Sequence, residues 1–407
     1  MNDWSTRFAT NMRDYAGYSI GKQLAMINDP DLISLAGGLP SPETFLTEEL
    51  QRFTEECFSR EASRVMQYSP IRGEPELFEA LIAHLEGDNI RVGPENLLIT
   101  SSGQQGLDLV GRLFLDPGDP IVVERPTFAG ALAAFQMQRP AVLGVELESD
   151  GLDLNQLETL LVRGRGRSPK FLYVVPDFQN PSGITMGLSK RRELLDLCAR
   201  YELLIIEDSP YRHLRYRGRD LPSLYQLEQE QGARGVVGVQ TFSKLFCPGM
   251  RVGYNMGPPE VIEKMTNIKE GSTLNTPKFN QDLCSAFLRQ VDLEAYFQHC
   301  RALYSVKLEL LQKLLAASFP AERGLSWTQP EGGMFVWVTG PDNLNTSKLL
   351  QKALAFKVAF VPGAVCYGQQ PDSRHMRLNF SYPTEDQLQE AVKRLSDCLY
   401  SWEAEGR

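Results

Sequence analysis

Residues 241–253 read Thr241-Phe-Ser243-Lys244-Leu-Phe-Cys-Pro248-Gly249-Met-Arg251-Val-Gly253 and give the strongest single indication of the chain's architecture. They follow an apolar, β-prone run from Gly235 to Gln240, so Lys244 lies just beyond the end of a predicted strand. An arginine comes seven residues after Lys244, just past a Pro-Gly turn. This spacing brings an amine, a hydroxyl and a guanidinium to one end of a strand.

Those three groups predict a covalently bound aldehyde cofactor. The Lys244 amine can form a Schiff base, and pyridoxal phosphate (PLP) is the cofactor that proteins bind through a lysine imine. The Ser243 hydroxyl and the Arg251 guanidinium suit the phosphate, because arginine makes planar bidentate pairs with oxyanions. A lone Ser-Lys pair is uninformative, but the extended pattern S-K-x-x-x-P-G-x-R-x-G is specific.

The composition is that of a globular protein with more than one domain. At 407 residues the chain exceeds the length at which one core stops growing, so two domains are expected. Hydrophobic residues make up 42% and charged residues 23%, both ordinary for soluble proteins. The net charge of −9 argues against nucleic acid or an anionic membrane as a partner. We interpret the basic stretch at 163–170 as a solvated connection ahead of a strand.

The remaining composition predicts a cytoplasmic enzyme without a metal. The N-terminus lacks the apolar region of a secretory signal, and no apolar run approaches the ~18 residues of a membrane span. Seven cysteines, odd in number and without a C-x-x-C pair, indicate reduced thiols. The four histidines are isolated in the sequence, so we expect no metal site.

Strands and helices alternate through the middle of the chain, which predicts a doubly wound, mostly parallel α/β sheet. We divide the chain into an N-terminal arm (1–46), a large domain (47–290) and a smaller α+β domain (291–407). The predicted strands of the large domain are Leu97–Thr100, Ile121–Glu124, Ala141–Val145, Phe171–Val175, Leu203–Glu207 and Val236–Gln240. Its predicted helices include Gly106–Leu115, Phe128–Gln138 and Ser189–Tyr201.

The small domain has a different predicted order, in which a long helix precedes the first strand. Its predicted elements are helix Leu293–Ala316, strand Met334–Val338, helix Thr346–Phe356, strands Val358–Val361 and Met376–Phe380, and helix Glu385–Glu403. No long linker separates the two domains, so we expect a cleft between them.

Polar residues follow several predicted strands, at the sheet edge where ligands of open α/β folds bind. Asp208 ends one strand, where its carboxylate suits a protonated pyridine nitrogen, and Tyr211 can donate to the cofactor's phenolic oxygen. A turn cap at Asp208 and a packing role for Tyr211 are the alternatives. Asn180, in Pro176-Asp-Phe-Gln-Asn-Pro-Ser-Gly183, can reach the same oxygen, although Asn-Pro is also a common turn.

Three further positions are candidates for binding. The loop 101–106 leads into a predicted helix, and backbone N–H groups at a helix N-terminus bind phosphate, although such loops often serve only as caps. Phe128 can stack on a pyridine ring, with core packing as the alternative. Arg377 alternates with apolar residues in a strand and therefore needs a charged partner, either a substrate carboxylate or a salt bridge.

Taken together, these stretches resemble the class I/II PLP-dependent aminotransferases of fold type I, over nearly the whole chain. The similarity is greatest to the branch of α-aminoadipate and kynurenine aminotransferases and the aminotransferase-like domains of MocR-type regulators. The matching stretches are Ile33-Ser-Leu-Ala-Gly-Gly-Leu-Pro40, Gln67-Tyr-Ser-Pro70, Ser102-Gly-Gln-Gln-Gly106, Pro176–Gly183, Glu207-Asp-Ser-Pro-Tyr211, 241–253, Glu331-Gly-Gly-Met-Phe-Val-Trp337, Phe360-Val-Pro-Gly363 and Met376-Arg-Leu-Asn-Phe-Ser381.

The resemblance implies a role for each matching residue around the cofactor. Lys244 would be the Schiff-base lysine and proton shuttle, and Asp208 would pair with the pyridinium nitrogen. Asn180 and Tyr211 would bind the phenolic oxygen. The residues implied to hold the phosphate are Gly103, Gln104, Ser243 and Arg251.

The resemblance also implies contacts with the ring, the substrate and a second subunit. Phe128 would stack on the ring, where relatives often have Tyr. Gly38 and Arg377, together with Asn180, would contact the substrate carboxylate. Tyr68 would reach the phosphate of the neighbouring subunit's cofactor, which implies a homodimer with its active sites at the interface.

Two departures from the family pattern bear on the substrate. Relatives often carry an arginine in the arm for the distal group of a substrate, whereas this chain has Gly21 followed by Lys22. Lysine is a point charge and not a planar fork, so it replaces arginine poorly. Asn275 stands where some relatives have His. Both changes argue against a dicarboxylate such as aminoadipate.

The expected activity is transfer of an amino group from an L-amino acid to a 2-oxo acid, in a ping-pong cycle through the Lys244 Schiff base. A PLP-dependent lyase or a β/γ-replacement enzyme on the same scaffold is the alternative, since a fold does not determine a function. A PLP-binding regulator would need a winged-helix domain, for which the arm is too short.

Overall fold

The computed structural model describes residues 3–13, 29, 31–163, 168–232 and 235–405. The β-strands are β1 (Ile33–Ser34), β2 (Leu97–Thr100), β3 (Pro120–Arg125), β4 (Ala141–Glu148), β5 (Gly151–Leu152), β6 (Phe171–Val174), β7 (Leu204–Asp208), β8 (Val236–Thr241), β9 (Gly253–Met256), β10 (Ser326–Trp327), β11 (Phe335–Thr339), β12 (Val358–Ala359), β13 (Val361–Pro362) and β14 (His375–Asn379).

Helices separate most of these strands. The α-helices are α1 (Thr10–Arg13), α2 (Thr47–Val65), α3 (Pro75–Gly87), α4 (Gly103–Phe114), α5 (Ala129–Gln136), α6 (Leu154–Arg163), α7 (Leu188–Arg200), α8 (Leu224–Gln231), α9 (Phe242–Leu245), α10 (Pro259–Thr273), α11 (Lys278–Gln290), α12 (Leu293–Ser318), α13 (Thr346–Ala355) and α14 (Glu385–Glu405). Short 3₁₀ helices span Trp4–Arg7, Pro42–Thr44, Pro94–Asn96, Pro248–Met250, Ala321–Arg323 and Gly363–Cys366.

An eight-stranded sheet forms the centre of the large domain, in the order β2-β9-β8-β7-β6-β3-β4-β5. The strands from β8 to β4 run parallel to one another, whereas β9 is antiparallel to both β8 and β2. All four residues of β2 and of β6 are buried, as expected for a sheet covered by helices on both faces. The predicted doubly wound, mostly parallel α/β fold is confirmed.

A four-stranded antiparallel sheet, in the order β10-β11-β14-β13, forms the smaller C-terminal unit. The two-residue strand β1 pairs in parallel with β12, so the chain ahead of the large sheet joins the C-terminal region. Backbone bonds from Leu35 N to Ala359 O (2.8 Å) and from Asn379 N to Leu35 O (2.8 Å) extend this attachment. The numerical division into arm, large domain and small domain stays a prediction.

Several predicted elements have other bounds in the structure, including one strand and one helix. One strand was predicted over Val358–Val361, but the chain forms two short strands with different neighbours, because β12 pairs with β1 while β13 pairs with β14. Helix α4 begins at Gly103 and not at Gly106, since Gly103 is already in the first helical turn. In the part of the chain that the structure describes, every helix is too short or too polar to cross a membrane.

Candidate active site

The predicted site residues meet where strands β6, β7 and β8 end. These strands are adjacent and parallel, so the side chains that follow them lie at one edge of the sheet. Asp208 is the last residue of β7, Lys244 lies in the short helix α9 directly after β8, and Asn180 follows β6. The topology therefore assembles the site from segments that are distant in sequence.

Lys244 lies in a one-turn helix that begins with a side-chain cap. The Thr241 hydroxyl accepts a hydrogen bond from the Ser243 backbone N–H at 3.1 Å, which satisfies a free donor of the first turn. The Lys244 ammonium Nζ donates to the Gly38 carbonyl oxygen. Burial, together with the positive charges of Arg377 and Arg251, lowers the pKa of Lys244 to about 8.

Asp208 is a buried carboxylate, and among the described residues its hydrogen bond comes from a side chain and not from the backbone of a turn. The Tyr173 hydroxyl on neighbouring β6 donates to Asp208 Oδ2 at 2.7 Å. Burial raises the pKa of Asp208 to about 7, while the hydrogen bond from Tyr173 lowers it. Sequence analysis missed Tyr173, because nothing distinguishes its position in the apolar run of β6 from ordinary core packing.

Asn180 connects Tyr211 to Arg377. Its Nδ2 donates to the Tyr211 hydroxyl at 3.2 Å, and its Oδ1 accepts from Arg377 Nη1 at 2.8 Å. Arg377 Nη2 donates to the Ala36 carbonyl oxygen at 2.6 Å, and the guanidinium lies 4.2 Å from the centre of the Phe335 ring. Asn180 and Tyr211, both predicted to bind the phenolic oxygen, are thus in contact with each other, and Arg377 adjoins them. Their binding of that oxygen stays a prediction.

The N-terminus of α4 and the side chain of Arg251 form a cup. Arg251 Nη2 donates to Ser102 Oγ at 2.7 Å, and Arg251 Nη1 lies 3.4 Å from Ser243 Oγ. Ser102, ahead of Gly103, has a φ of 80° that turns the chain into the helix. The first N–H groups of a helix and an arginine are suited to a phosphate. Ser102 was quoted in the matching stretch, but its role in holding Arg251 was not foreseen.

Gly253 permits this arrangement by its lack of a side chain. A Cβ at Gly253 would meet the Gln240 carbonyl oxygen at 2.6 Å and the Gly103 nitrogen at 2.7 Å. Strand β9 and the start of α4 therefore approach each other more closely than any side chain allows.

The other predicted residues lie around this centre with one exception. Gln104 is exposed and its Nε2 donates to the Gly130 carbonyl oxygen at 2.8 Å, while Phe128 is half-buried just ahead of α5. A Cβ at Gly38 would lie 3.0 Å from the Phe335 ring. Tyr68 is 77% exposed, and no side-chain hydrogen bond joins it to the other described site residues.

The structure describes one of the two positions at which the sequence departs from the family pattern. Gly21 and Lys22 lie outside the described residues. Asn275 donates from Nδ2 to the Ser69 carbonyl oxygen at 2.8 Å, directly beside Tyr68 in the chain. Asn275 therefore holds the segment that carries Tyr68.

Several cations of the site have no acidic partner, and several of its hydrogen-bond donors have no acceptor, among the described residues. Among the described residues, neither Lys244 nor Arg251 nor Arg377 forms an ion pair with an acidic side chain. Arg377 Nε and the hydroxyls of Thr127 and Ser209 are buried and have no hydrogen-bond partner in the described part of the chain. Burying unpaired cations and donors is costly, so these residues fit a ligand that carries a phosphate and a carboxylate.

A second cluster of titratable groups lies outside the site. The ligand atoms of His84, Asp88 and His213 lie within 4.8 Å of one another, so these two histidines are not isolated in space. The Arg212 guanidinium lies 3.7 Å from the Asp88 carboxylate and balances its charge. The absence of a metal site stays a prediction.

Comparison with known proteins agrees with this geometry. An aromatic-amino-acid aminotransferase 1 from Thermococcus litoralis is 35% identical over 98% of this chain and 95% of its own length. The α-aminoadipate aminotransferase LysN from Thermus thermophilus, solved in complex with N-(5′-phosphopyridoxyl)-L-leucine, superposes with a TM-score of 0.92 at 35% identity, covering 99% and 100% of the two chains. The kynurenine aminotransferase from Pyrococcus horikoshii also gives a TM-score of 0.92 at 35% identity, covering 98% of each chain.

The expected branch and cofactor are therefore confirmed. Residues 31–395 match the family described as aminotransferase class I and II. Pyridoxal 5′-phosphate is the cofactor, and the protein is a PLP-dependent transferase of fold type I. This chain belongs to the class I and II aminotransferases.

Proposed function

We propose that the enzyme transfers the amino group of an L-amino acid to a 2-oxo acid in a ping-pong cycle that depends on Lys244. The observation that carries the proposal is Arg377, a guanidinium only 5% exposed that has no acidic partner among the described residues. A buried cation of this kind is costly unless an anion joins it. The α-carboxylate shared by amino acids and 2-oxo acids supplies that anion in both halves of the cycle.

Arg377 is held in a fixed orientation ahead of substrate binding. Asn180 accepts from one terminal nitrogen, the Ala36 carbonyl oxygen accepts from the other, and the Phe335 ring supports the guanidinium face. A guanidinium that is already oriented loses little entropy when it binds a carboxylate. Gly38, which adjoins the same Phe335 ring, leaves room for the carboxylate beside the backbone.

The remaining residues would hold the cofactor. Arg251, Ser243 and the N-terminus of α4 at Gly103 and Gln104 would bind the phosphate. Asn180 and Tyr211 would donate to the phenolic oxygen. Asp208 would hold a proton at the ring nitrogen, and Phe128 would lie against the ring face.

Lys244 would bind the cofactor and afterwards move the proton. Bound PLP supplies an electron sink that stabilises negative charge at the substrate Cα. With its pKa lowered to about 8, Lys244 has an appreciable neutral fraction near pH 7 and can accept the Cα proton. Arg377 and Arg251 favour the neutral amine, because each adds positive charge nearby.

The site would be completed by a second copy of the chain. Tyr68 is 77% exposed, and Met66, two residues earlier, is 76% exposed. Large apolar side chains with this exposure mark a contact surface when they lie together. We therefore propose a homodimer in which Tyr68 binds the phosphate of the partner's cofactor.

The test is a panel of single amino acids, each mixed with the PLP-loaded enzyme and followed by absorbance and mass spectrometry. Transamination converts the bound cofactor to pyridoxamine phosphate and releases one equivalent of 2-oxo acid. Addition of a second 2-oxo acid then restores the starting spectrum. Release of ammonia, or loss of a side-chain leaving group without pyridoxamine phosphate, would refute the proposal and favour the lyase or replacement reaction.

The covalent role of Lys244 has a separate test. We expect Lys244→Ala to abolish the covalent link to the cofactor and to lower the rate of amino transfer at least ~10³-fold. Lys357→Ala removes an exposed lysine that pairs with Asp29 and serves as the matched control. Borohydride reduction followed by peptide mass spectrometry locates the modified residue. A modified peptide that lacks residue 244 would contradict the assignment.

A further inference from the structure

Tyr173 is the group beneath Asp208 to which the sequence pattern assigns no role. In the parallel pair of β6 and β7, Tyr173 is the register partner of Ile206. Asp208 lies two residues further along β7, on the same face of the sheet as Ile206. The Tyr173 side chain therefore reaches diagonally across the strands, and its hydroxyl donates to Asp208 Oδ2 at 2.7 Å.

The position of this hydroxyl is fixed by packing. Tyr173 is fully buried, and the edge of its ring contacts Phe135, with ring centres 5.6 Å apart and an interplanar angle of 75°. Among the described residues, Tyr173 is the one side chain that donates a hydrogen bond to the Asp208 carboxylate. A rigid donor of this kind restricts the rotation of the carboxylate.

Burial and nearby acidic groups disfavour the charge of Asp208, and the Tyr173 hydroxyl favours it. The titratable groups near it are Tyr173 on β6, Glu124 on β3 and Tyr211, with Glu207 directly before it on the opposite face of β7. Burial and the charge of Glu207 raise the pKa of Asp208, whereas the Tyr173 hydrogen bond lowers it. Burial also keeps the pKa of Tyr173 well above its ordinary value, so the hydroxyl stays a donor.

We propose that Tyr173 is a positioning residue of the reaction, whose hydroxyl keeps Asp208 ionised and directed at the ring nitrogen of the cofactor. The inference rests on the proposed role of Asp208. Without the hydroxyl, Asp208 becomes more basic and takes up the proton that it would otherwise hold at the ring nitrogen. The ring then withdraws electrons less strongly, and proton removal at the substrate Cα slows.

The experiment compares Tyr173→Phe with Tyr254→Phe, which removes a buried hydroxyl from β9 of the same sheet. The first readout is the pH titration of the cofactor absorbance in the resting enzyme. We expect its pKa to rise by roughly 0.5–1 unit in Tyr173→Phe, because less positive charge at the ring nitrogen makes the Lys244 linkage easier to protonate. The titration of Tyr254→Phe is expected to match that of the unmodified enzyme.

The second readout separates binding from chemistry. We expect Tyr173→Phe to lower kcat about 10-fold while KM for the amino acid changes by less than about 3-fold, since Tyr173 does not touch the substrate. The dissociation constant of PLP, measured with apoenzyme, is expected to rise. In an Asp208→Asn background the Tyr173→Phe change should have no further effect, because it acts through Asp208.

A third variant covers the case in which Tyr173→Phe fails to fold. Fluorinated tyrosine at position 173 keeps the shape and makes the hydroxyl a stronger donor, so the absorbance pKa is expected to shift downwards. An unchanged titration in folded Tyr173→Phe, or in the fluorinated enzyme, would overturn the inference. If Asp208→Asn also leaves the titration unchanged, the proposed placement of the cofactor is wrong. If Asp208→Asn shifts the titration and Tyr173→Phe does not, only the role of Tyr173 is wrong.

Discussion

Arg377 is a cation inside a strand, and its surroundings explain how a sheet tolerates it. The two terminal nitrogens bond to Asn180 and to the Ala36 carbonyl oxygen, while Nε has no partner among the residues that the structure describes. Each bond orients the guanidinium but neither neutralises its charge. The guanidinium is therefore held in one orientation, but its positive charge has no negative partner. A group in this condition is suited to bind a carboxylate.

Arg377→Lys tests whether the planar fork matters in addition to the charge. We expect kcat/KM to fall about 10²-fold, mostly through a rise in KM, because lysine binds a carboxylate as a point charge. Arg374→Lys alters an arginine of the same segment that pairs with Asp372 and Asp342, and it is expected to leave both constants unchanged. Steady-state kinetics with one amino donor gives the comparison. Equal effects of the two substitutions would contradict the assignment.

The lowered pKa of Lys244 predicts how the apoenzyme takes up PLP. Only the neutral amine attacks an aldehyde, so the rate of uptake is expected to rise with pH and to level off above about 8. Arg377→Met removes a positive charge that lowers this pKa, and the midpoint is expected to move towards higher pH. Stopped-flow absorbance measures the rate. A midpoint near the ordinary lysine pKa in the unmodified apoenzyme would contradict the prediction.

Three of the residues that sequence analysis located share one property, which is a charged or polar side chain at or just after the end of an apolar strand. Lys244, Asp208 and Asn180 stand out there because a strand end is where the side-chain pattern changes. The roles of Tyr173 and Ser102 were missed. Tyr173 is one aromatic residue in an apolar run, and the partner of Ser102 is 149 positions away. Contacts formed across strands leave no local signal.

Strand β9 is one of the elements that sequence analysis did not find. Its four residues, Gly253–Met256, are too few and too mixed to show a period, and their strand conformation comes from antiparallel pairing with β2 and β8. The same strand explains the earlier start of α4. Because β9 passes directly against Gly103, the glycine that was interpreted as part of a loop is held in the first turn of the helix.

Gly253→Ala tests this close approach between β9 and α4. A methyl group would meet backbone atoms at 2.6 and 2.7 Å, so the start of α4 has to move. We expect a loss of stability of about 1–3 kcal/mol and weaker binding of PLP. Gly257→Ala, at the other end of β9, meets side-chain atoms only at ordinary contact distances and serves as the control. Chemical denaturation and PLP titration measure both effects, and equal behaviour of the two variants would contradict the prediction.

The overall fold and the cofactor could be predicted from the sequence, whereas individual strand pairings could not. The alternation of strands and helices was sufficient for the mostly parallel sheet, and the family motifs were sufficient for the cofactor. Pairing of β1 with β12 was beyond sequence analysis, because two residues near position 33 join two residues near 358 without any sequence pattern. The substrate preference expected from Gly21 and Lys22 stays a prediction.

The proposed homodimer predicts complementation between two defective chains. In a hybrid of Lys244→Ala and Tyr68→Ala subunits, one site lacks both residues and the other has both. We expect mixed, refolded chains to recover about a quarter of the unmodified activity, since about half the dimers are hybrids with one intact site each. Each variant refolded alone gives the baseline. Mixed activity no higher than that baseline would show that Tyr68 does not act across an interface.

The pairing of β1 with β12 has a consequence for the order of events during synthesis. Leu35 is bonded to Ala359 and Asn379, and the segment that follows Leu35 carries Gly38 to the lysine. A ribosome has to add more than three hundred further residues before these bonding partners of Leu35 exist. The large sheet can form while the chain is still growing, but a nascent enzyme stays inactive until the segment that carries Ala359 and Asn379 has emerged and folded.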